Sequence, residues 1–417
     1  MAFQVRGGEL MNKKKGGIAS LYSIGLAFLP IFAIMKYEVA GIFVDRIFLL
    51  LFAVITILAV GVKKRFQTNA ALLFSVTFYA LVLTFNSLTY GSCGLFGIAS
   101  LWIILLINLC FSSREVFKLD TFKKVIVTVS IVATIIMIVQ YILFYVFGIN
   151  WLPIPKNIYR PDIIEEYYTK SNIFLTGLDH GLYRPSAFFM EPSHFSEYAI
   201  VGLALELFYA KDKTSFRIPV ILTAGIVLST SGLGILCAVI AWGYKLFIAK
   251  TTTSKKIKRI FAVILALSVM YFILDSIGIA NLILSRFGTS NISSSGFNSR
   301  FGDVTKVFSQ FDTWKMLFGE GYDSQAKFWL SGWFSVARQV GLIGVIALVS
   351  ILISIGKRTN VEGRWLLIIY AFLLVVAEVS SFSNMVFYLT PVIACGIVEN
   401  GGLKRNNGEK TRCTTRP

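Results

Sequence analysis

Cysteine and histidine are scarce in this chain: 417 residues hold five cysteines, two histidines and only 15% charged side chains. Cys110, Cys237 and Cys395 fall inside apolar runs and Cys413 in the polar tail, while Cys93 alone is expected to face outward. With the cysteines so far apart, neither a disulfide framework nor a metal-ligand spacing emerges. The polar connections carry no Gly-rich nucleotide loop, no Asp-x-Asp pair and no His/Cys metal spacing. Nucleotide-sugar and metal chemistry are therefore disfavoured, and no cofactor or metal is expected. Internal repeats, heptads and low-complexity segments are also missing, apart from the polar tail that begins near Asn400.

What the chain has in abundance is apolar surface, with 56% hydrophobic residues, 14% aromatics and a mean hydropathy of +0.72. That exceeds the need of a soluble core, and the runs recur at lengths suited to a bilayer. The formal charge of +18 would suggest nucleic acid in a soluble protein. Here Lys and Arg sit mostly in short clusters between apolar runs, a pattern that sets topology, so no nucleic-acid partner is expected.

The runs are 18–35, 47–62, 70–88, 95–111, 125–147, 192–210, 218–230, 232–249, 260–278, 332–356, 365–381 and 383–398. They predict an all-α polytopic membrane protein with about twelve transmembrane helices, because lipid offers backbone groups no partner outside the segment. Alternate connections then place the clusters Lys13–Lys15, Lys63–Arg65, Arg114–Lys124, Lys211–Arg217, Lys255–Arg259, Lys357–Arg364 and Lys404–Arg416 all inside. Both termini are expected in the cytoplasm, the stretch 399–417 as a polar tail. The run from Ile18 follows Lys13–Lys15 without a small-residue cleavage site and reads as an uncleaved first span, with Met11 an alternative start. The stretch 218–249 is long for one helix and short for two, so Ser229-Thr230-Ser231-Gly232 is expected to turn the chain at the outer surface. The last two spans are expected to meet at Ser380–Asn384 in the same way.

Two connections, 149–191 and 279–331, are both outside in this topology and far longer than a hairpin needs. The first holds Trp151, Tyr159, Tyr167, Tyr168 and Tyr183 with several carboxylates, which suits either stacking on sugar faces or an interfacial aromatic belt. The second opens with a polar patch, Thr289–Ser299, then turns amphipathic through Val304, Val307, Phe308 and Phe311, as a helix lying on a membrane surface would. Gly319 and Gly321 in Phe318-Gly319-Glu320-Gly321-Tyr322 permit a tight turn or a close approach to substrate.

The segment 177–198 crowds Arg184, Glu191 and His194 beside a span. Pro192 fits the first helical position, with Glu191 at the cap near the positive end of the helix dipole. Capping explains Glu191 but not His194 and Tyr198, which share its helix face by spacings of three and four. Both histidines, His180 and His194, lie in this outward region. Glu191 and His194 are the candidate bases for deprotonating a hydroxyl. Arg184 and Arg300 are external arginines whose planar forks suit a phosphate or diphosphate, the bland alternative being salt bridges to Glu320 or Asp303. Arg338, inside a span, is expected to face a polar cavity, with Glu378 or Asp275 as its partner. Glu206, toward the inner end of its helix, reads as structural.

These features resemble the Wzy-type bacterial polysaccharide polymerases, in the group that includes the O-antigen ligases. The run Arg184-Pro185-Ser186-Ala187-Phe188-Phe189-Met190-Glu191-Pro192-Ser193-His194-Phe195 is similar to the Arg-x-x-Gly-x-Phe-x-Glu-Pro pattern of these enzymes, with Ala187 where glycine is frequent. Leu228-Ser229-Thr230-Ser231-Gly232, Arg300 followed by Leu317–Tyr322, and Gly341-Leu342-Ile343-Gly344 match further family segments. The Arg followed eleven residues on by Gly, widely discussed in the family, is not found, since Phe195 and Phe311 occupy those places.

The resemblance implies a GT-C-like polymerase or ligase architecture in the bacterial cytoplasmic membrane and a metal-independent glycosyltransferase. Its substrate would be an undecaprenyl-diphosphate-linked oligosaccharide, the growing glycan passing to the next lipid-linked unit on the outer face. A flippase, a chain-length regulator and membrane lipid are the further partners it implies. Arg184 and Arg300 would hold the diphosphate, with Arg338 assisting; Tyr198, Gly319 and Gly321 would complete the substrate site, and Glu191 with His194 would activate the acceptor. A ligase acting on a lipid or protein acceptor is the nearest alternative. A lipid-oligosaccharide flippase is the alternative of another class, expected to gather its ionisable groups around a central cavity. A membrane acyltransferase is a third, disfavoured because no matching histidine lies on the inner side.

Overall fold

The computed structural model describes residues 4–35, 37–39, 42–61, 70–91, 94–111, 116–159, 178–179, 182–209, 216–248, 257, 261, 268, 272, 275, 298–321, 330–377 and 379–394. In chain order the helices are α1 (Gln4–Phe32), α2 (Val44–Gly61), α3 (Ala70–Tyr90), α4 (Leu95–Leu105), α5 (Leu119–Phe147), α6 (Pro192–Phe208), α7 (Arg217–Leu228), α8 (Gly232–Ile248), α9 (Asn298–Phe308), α10 (Thr313–Phe318), α11 (Gly332–Gly356), α12 (Val361–Val376) and α13 (Phe382–Ala394). Two small antiparallel hairpins accompany them, β1–β2 (Glu38–Val39 with Ile42–Phe43) and β3–β4 (Leu178–Asp179 with Leu182–Tyr183).

Every apolar run except 260–278 coincides with a helix, and that run lies almost wholly outside the described residues. By length and composition α3, α5 and α11 are able to cross a membrane, and the shorter apolar helices include α7, α13 and parts of α1, α8 and α12. The architecture is that of an α-helical membrane protein. Its helices are arranged with polar groups inward. On α5, Ser130, Ala133, Thr134, Met137 and Gln140 are buried on one face while Val132, Ile135, Ile138 and Ile142 are exposed on the other. That inversion is expected where lipid is the solvent for the outer face and side-chain hydrogen bonds join the helices within.

The described chain forms two compact units. One contains Met1–Ala33, Val44–Phe122 and Val304–Pro417. Buried polar residues join its helices. Asn108, in the π-helical turn Leu106–Cys110 after α4, accepts from the Tyr22 hydroxyl (3.1 Å) and donates to the carbonyls of Leu49 (3.3 Å) and Ile104 (3.1 Å). Ser75 of α3 meets Ser350 (2.5 Å) and Ser354 (3.1 Å) of α11. At the starts of α2 and α13, the Ser383 hydroxyl donates to the buried Asp45 carboxylate (2.5 Å).

The other unit contains Ile34–Phe43 and Lys123–Asp303. At its centre α6 is buried almost all round, from Phe195 and Tyr198 to Leu207. Small residues let the neighbours close in: a Cβ on Gly225 of α7 would strike Thr134, and one on Gly234 of α8 would strike Ser196. Near the far end of α6, Glu206 pairs with Lys123 at 3.2 Å, the structural role the sequence predicts. Part of the first long connection folds back here, where Tyr159 and Met190 bury each other beside Ile34, Leu152 and Ile154.

Candidate functional site

The segment 183–194 is held from below by one turn of α5. Tyr183 ends the β3–β4 hairpin, and its ring stacks on Phe144 with centroids 4.0 Å apart and planes 9° from parallel. Tyr141 and Tyr145 meet the same ring edge-on at 5.6 and 6.2 Å. Burial in this aromatic slot, with Tyr145 beside it, pushes the Tyr183 phenol up to about 12. Arg184 follows immediately, half-buried, so the slot fixes the backbone from which its guanidinium extends.

After Pro185 the chain reverses. The Phe189 amide donates to the Ser186 carbonyl (2.9 Å), and Ala187 adopts a left-handed backbone with φ of 52°. Positive φ is a backbone conformation that ordinarily favours glycine. The Ala187 amide is taken up by the Gln140 side chain, whose Oε1 accepts it at 2.9 Å. Phe189 then anchors the segment against Phe195 (5.7 Å) and Tyr198 (5.3 Å).

Glu191 is the N-cap residue of α6, with extended backbone (φ −134°, ψ 155°), and Pro192 takes the first helical position as the sequence predicts. The carboxylate makes no side-chain bond to the free amides of the first turn. It accepts instead from the Ser193 hydroxyl at 2.7 Å. Glu191 and His194 are both partly exposed, whereas Tyr198 is 1% exposed beneath them. Tyr198 thus supports the platform through Phe189 and is not part of its surface.

The turn between α7 and α8 falls where the sequence places it. Ser229, Thr230 and Ser231 are all buried among their neighbours. The Ser229 hydroxyl donates to the Ile226 carbonyl (2.7 Å) and lies 2.9 Å from Ser196 Oγ on α6. The Tyr141 hydroxyl donates to the Leu228 carbonyl at 2.7 Å. Ser229 and Ser231 help this turn to be buried because their short hydroxyl side chains bond nearby backbone groups.

In the other unit, Gly319, Glu320 and Gly321 lie along a break in α11. Gly341 has φ of 67° and ψ of −173° inside that helix, which frees carbonyls in the preceding turn. Glu320 and Gly321 take them, their amides donating to Arg338 (2.8 Å) and Gln339 (3.1 Å). Gly319 (φ 82°) and Gly321 (φ 115°) adopt backbones that favour glycine. The contact of Gly319 is with the α11 backbone, since a Cβ there would strike Gln339 and Val340. Arg338 is 5% exposed, and its Nη1 lies 3.6 Å from Glu320 Oε2. Among the described residues the carboxylate beside it is Glu320; of the two span residues the sequence offers, Asp275 is exposed and Glu378 lies outside the described residues.

Arg300 falls in the first turn of α9, and its side chain lies outside the described residues, as do His180, Tyr167 and Tyr168. The amphipathic stretch is helical as far as Phe308; Val307 is buried and Phe308 packs on Phe311 at 5.0 Å. Sequence reasoning missed Gln140 and Tyr141. An amide in the middle of an apolar run was the available signal. Among the described residues no cluster of three or more His, Cys, Asp or Glu side chains is gathered.

Chemically, the first arrangement presents a carboxylate and an imidazole one helical turn apart on a rigid, buried helix, with a guanidinium a short turn upstream. It is able to accept a proton from a hydroxyl and to hold an anion. Neither the known protein families nor the curated proteins contain a match to this chain.

Proposed function

We propose that the chain is a multi-pass glycosyltransferase of the bacterial cytoplasmic membrane, with about twelve spans and both termini inside. In this reading it polymerises undecaprenyl-diphosphate-linked oligosaccharide units on the outer face. The observation that carries the proposal is the Glu191 carboxylate. It caps α6 without bonding the helix amides and stays partly exposed with His194 on the same face. A carboxylate serving only as a cap would be expected to bond the first-turn amides.

The step is a substitution at an anomeric carbon. The acceptor hydroxyl of the incoming lipid-linked unit gives its proton to Glu191, with His194 as the alternative base, while its oxygen bonds to the anomeric carbon of the growing chain. The bond from that carbon to the lipid diphosphate breaks, and the electron pair leaves on the diphosphate. Arg184 neutralises the leaving group, a role that needs only a fixed guanidinium. Arg300 is proposed as a further diphosphate contact. The resemblance of 184–195 to the polymerase pattern supports this reading, and so does the left-handed turn at Ala187.

Glu191→Gln and Arg300→Ala are expected to insert normally while long glycan disappears and single lipid-linked repeats accumulate. Glycan of normal length from both variants would remove the proposed site.

A further inference from the structure

Gln140 is 2% exposed within α5, one of the helices long and apolar enough to cross a membrane. Burying an amide there is unfavourable unless both of its ends are bonded. They are bonded, to two distant parts of one connection. Nε2 donates to the Trp151 carbonyl at 2.9 Å, and Oε1 accepts from the Ala187 amide at 2.9 Å. One side chain thereby ties the start of the first long connection to its end, where Ala187 holds the strained φ of 52°. The Gln140 side chain thus gives the Ala187 amide its acceptor. The adjacent Tyr141 fixes the Leu228 carbonyl, and Phe144 one turn on stacks on Tyr183.

We infer that Gln140 is a positioning residue for the anion-binding segment: its amide holds the turn at 186–189 so that Arg184, between Tyr183 and that turn, presents its guanidinium in a fixed place. The inference rests on the proposed function only where it names the anion as a prenyl diphosphate. An unstapled turn would sample several conformations and bind an anion more weakly, because the arginine must then be ordered at the moment of binding.

The test uses the full-length protein in detergent or nanodiscs, with two variants. Gln140→Leu removes both bonds at similar volume, and Gln140→Glu keeps an oxygen that accepts from Ala187. Amide hydrogen exchange is read at residue 187 and undecaprenyl diphosphate binding by titration. Gln140→Leu is expected to speed exchange at 187 at least about tenfold and to weaken binding by about tenfold, whereas Gln140→Glu keeps slow exchange at 187. A globally destabilised protein would instead lose active fraction at unchanged Kd.

Unchanged exchange at 187 in Gln140→Leu overturns the staple. Faster exchange with unchanged affinity overturns the positioning role. Should the wild-type protein fail to bind the diphosphate at all, the functional reading falls, and inorganic pyrophosphate titrated against the same variants decides the positioning role by the same tenfold criterion.

Discussion

Glu320 and Arg338 are joined twice. The Glu320 amide donates to the Arg338 carbonyl at 2.8 Å, and the Glu320 carboxylate lies 3.6 Å from the Arg338 guanidinium. The first bond exists because Gly341 breaks α11, and the second places a carboxylate next to a cation that would otherwise be costly so close to hydrocarbon. Lys315 approaches the same carboxylate at 3.6 Å from the exposed side.

The two links are separable by mutation. Glu320→Gln keeps the backbone bond and removes the charge. Because the Glu320 side chain is 31% exposed, the expected loss is about 1 kcal/mol, well below the cost of breaking a fully buried pair. A double-mutant cycle of Glu320→Gln with Arg338→Met, followed by thermal unfolding in detergent, should show coupling of that order. Strict additivity would mean that the pair is geometric only.

Gly341→Ala should be much worse. Its φ of 67° is unfavourable for any side chain, and the new methyl would meet the backbone of Leu317 and Phe318, which cannot swing away as a side chain can. A loss of about 3 kcal/mol or more is expected. A melting temperature within a degree or two of wild type would show that the break in α11 is not required.

Ala187→Gly and Thr230→Gly should run the other way. Ala187 and Thr230 hold φ of 52° and 54°. That costs about 1–2 kcal/mol for a residue with a Cβ, against about 0.5–1 kcal/mol of extra chain entropy for glycine. Ala187→Gly is therefore expected to stabilise by about 0.5 kcal/mol. Thr230→Gly should gain more, since Thr230 is β-branched and its hydroxyl is buried with no partner among the described residues. A drop in melting temperature in both variants would contradict the left-handed assignment.

Tyr183 gives a pH signature. Its phenol is raised from 10.0 to about 12 in the folded protein, so the unfolded chain loses this proton first as the solution becomes alkaline. The contribution is constant below pH 10 and is lost between 10 and 12, with a slope of at most about 1.4 kcal/mol per pH unit. Tyr183→Phe should flatten that part of the stability curve, and identical slopes in the two proteins would place the phenol in water.

Much of this was legible in the sequence, and the illegible parts share a cause. Pro192 and Glu191 announce the start of α6 because proline without an N–H suits only the first turn. The turn at 229–232 is equally plain from its small polar residues. What the sequence does not show is that these hydroxyls are buried against Ser196, since the same residues would serve a solvent turn. Nor does it show that Arg338 meets Glu320: the pairing depends on a helix break at Gly341 that exposes carbonyls for Glu320 and Gly321. Ala187 hides the left-handed turn because it is not glycine. Gln140 is visible as a misplaced amide, but its two partners lie 11 and 47 residues further along the chain, at spacings no local pattern announces.

The central claim is polymerisation from lipid-linked units, and the most direct test gives the purified protein one synthetic undecaprenyl-diphosphate repeat unit, adds no other acceptor, and sizes the product. A ladder of lipid-linked oligomers, absent in Glu191→Gln, is the predicted result. An unextended substrate, with glycan passing to a separate core acceptor only when one is supplied, would contradict it.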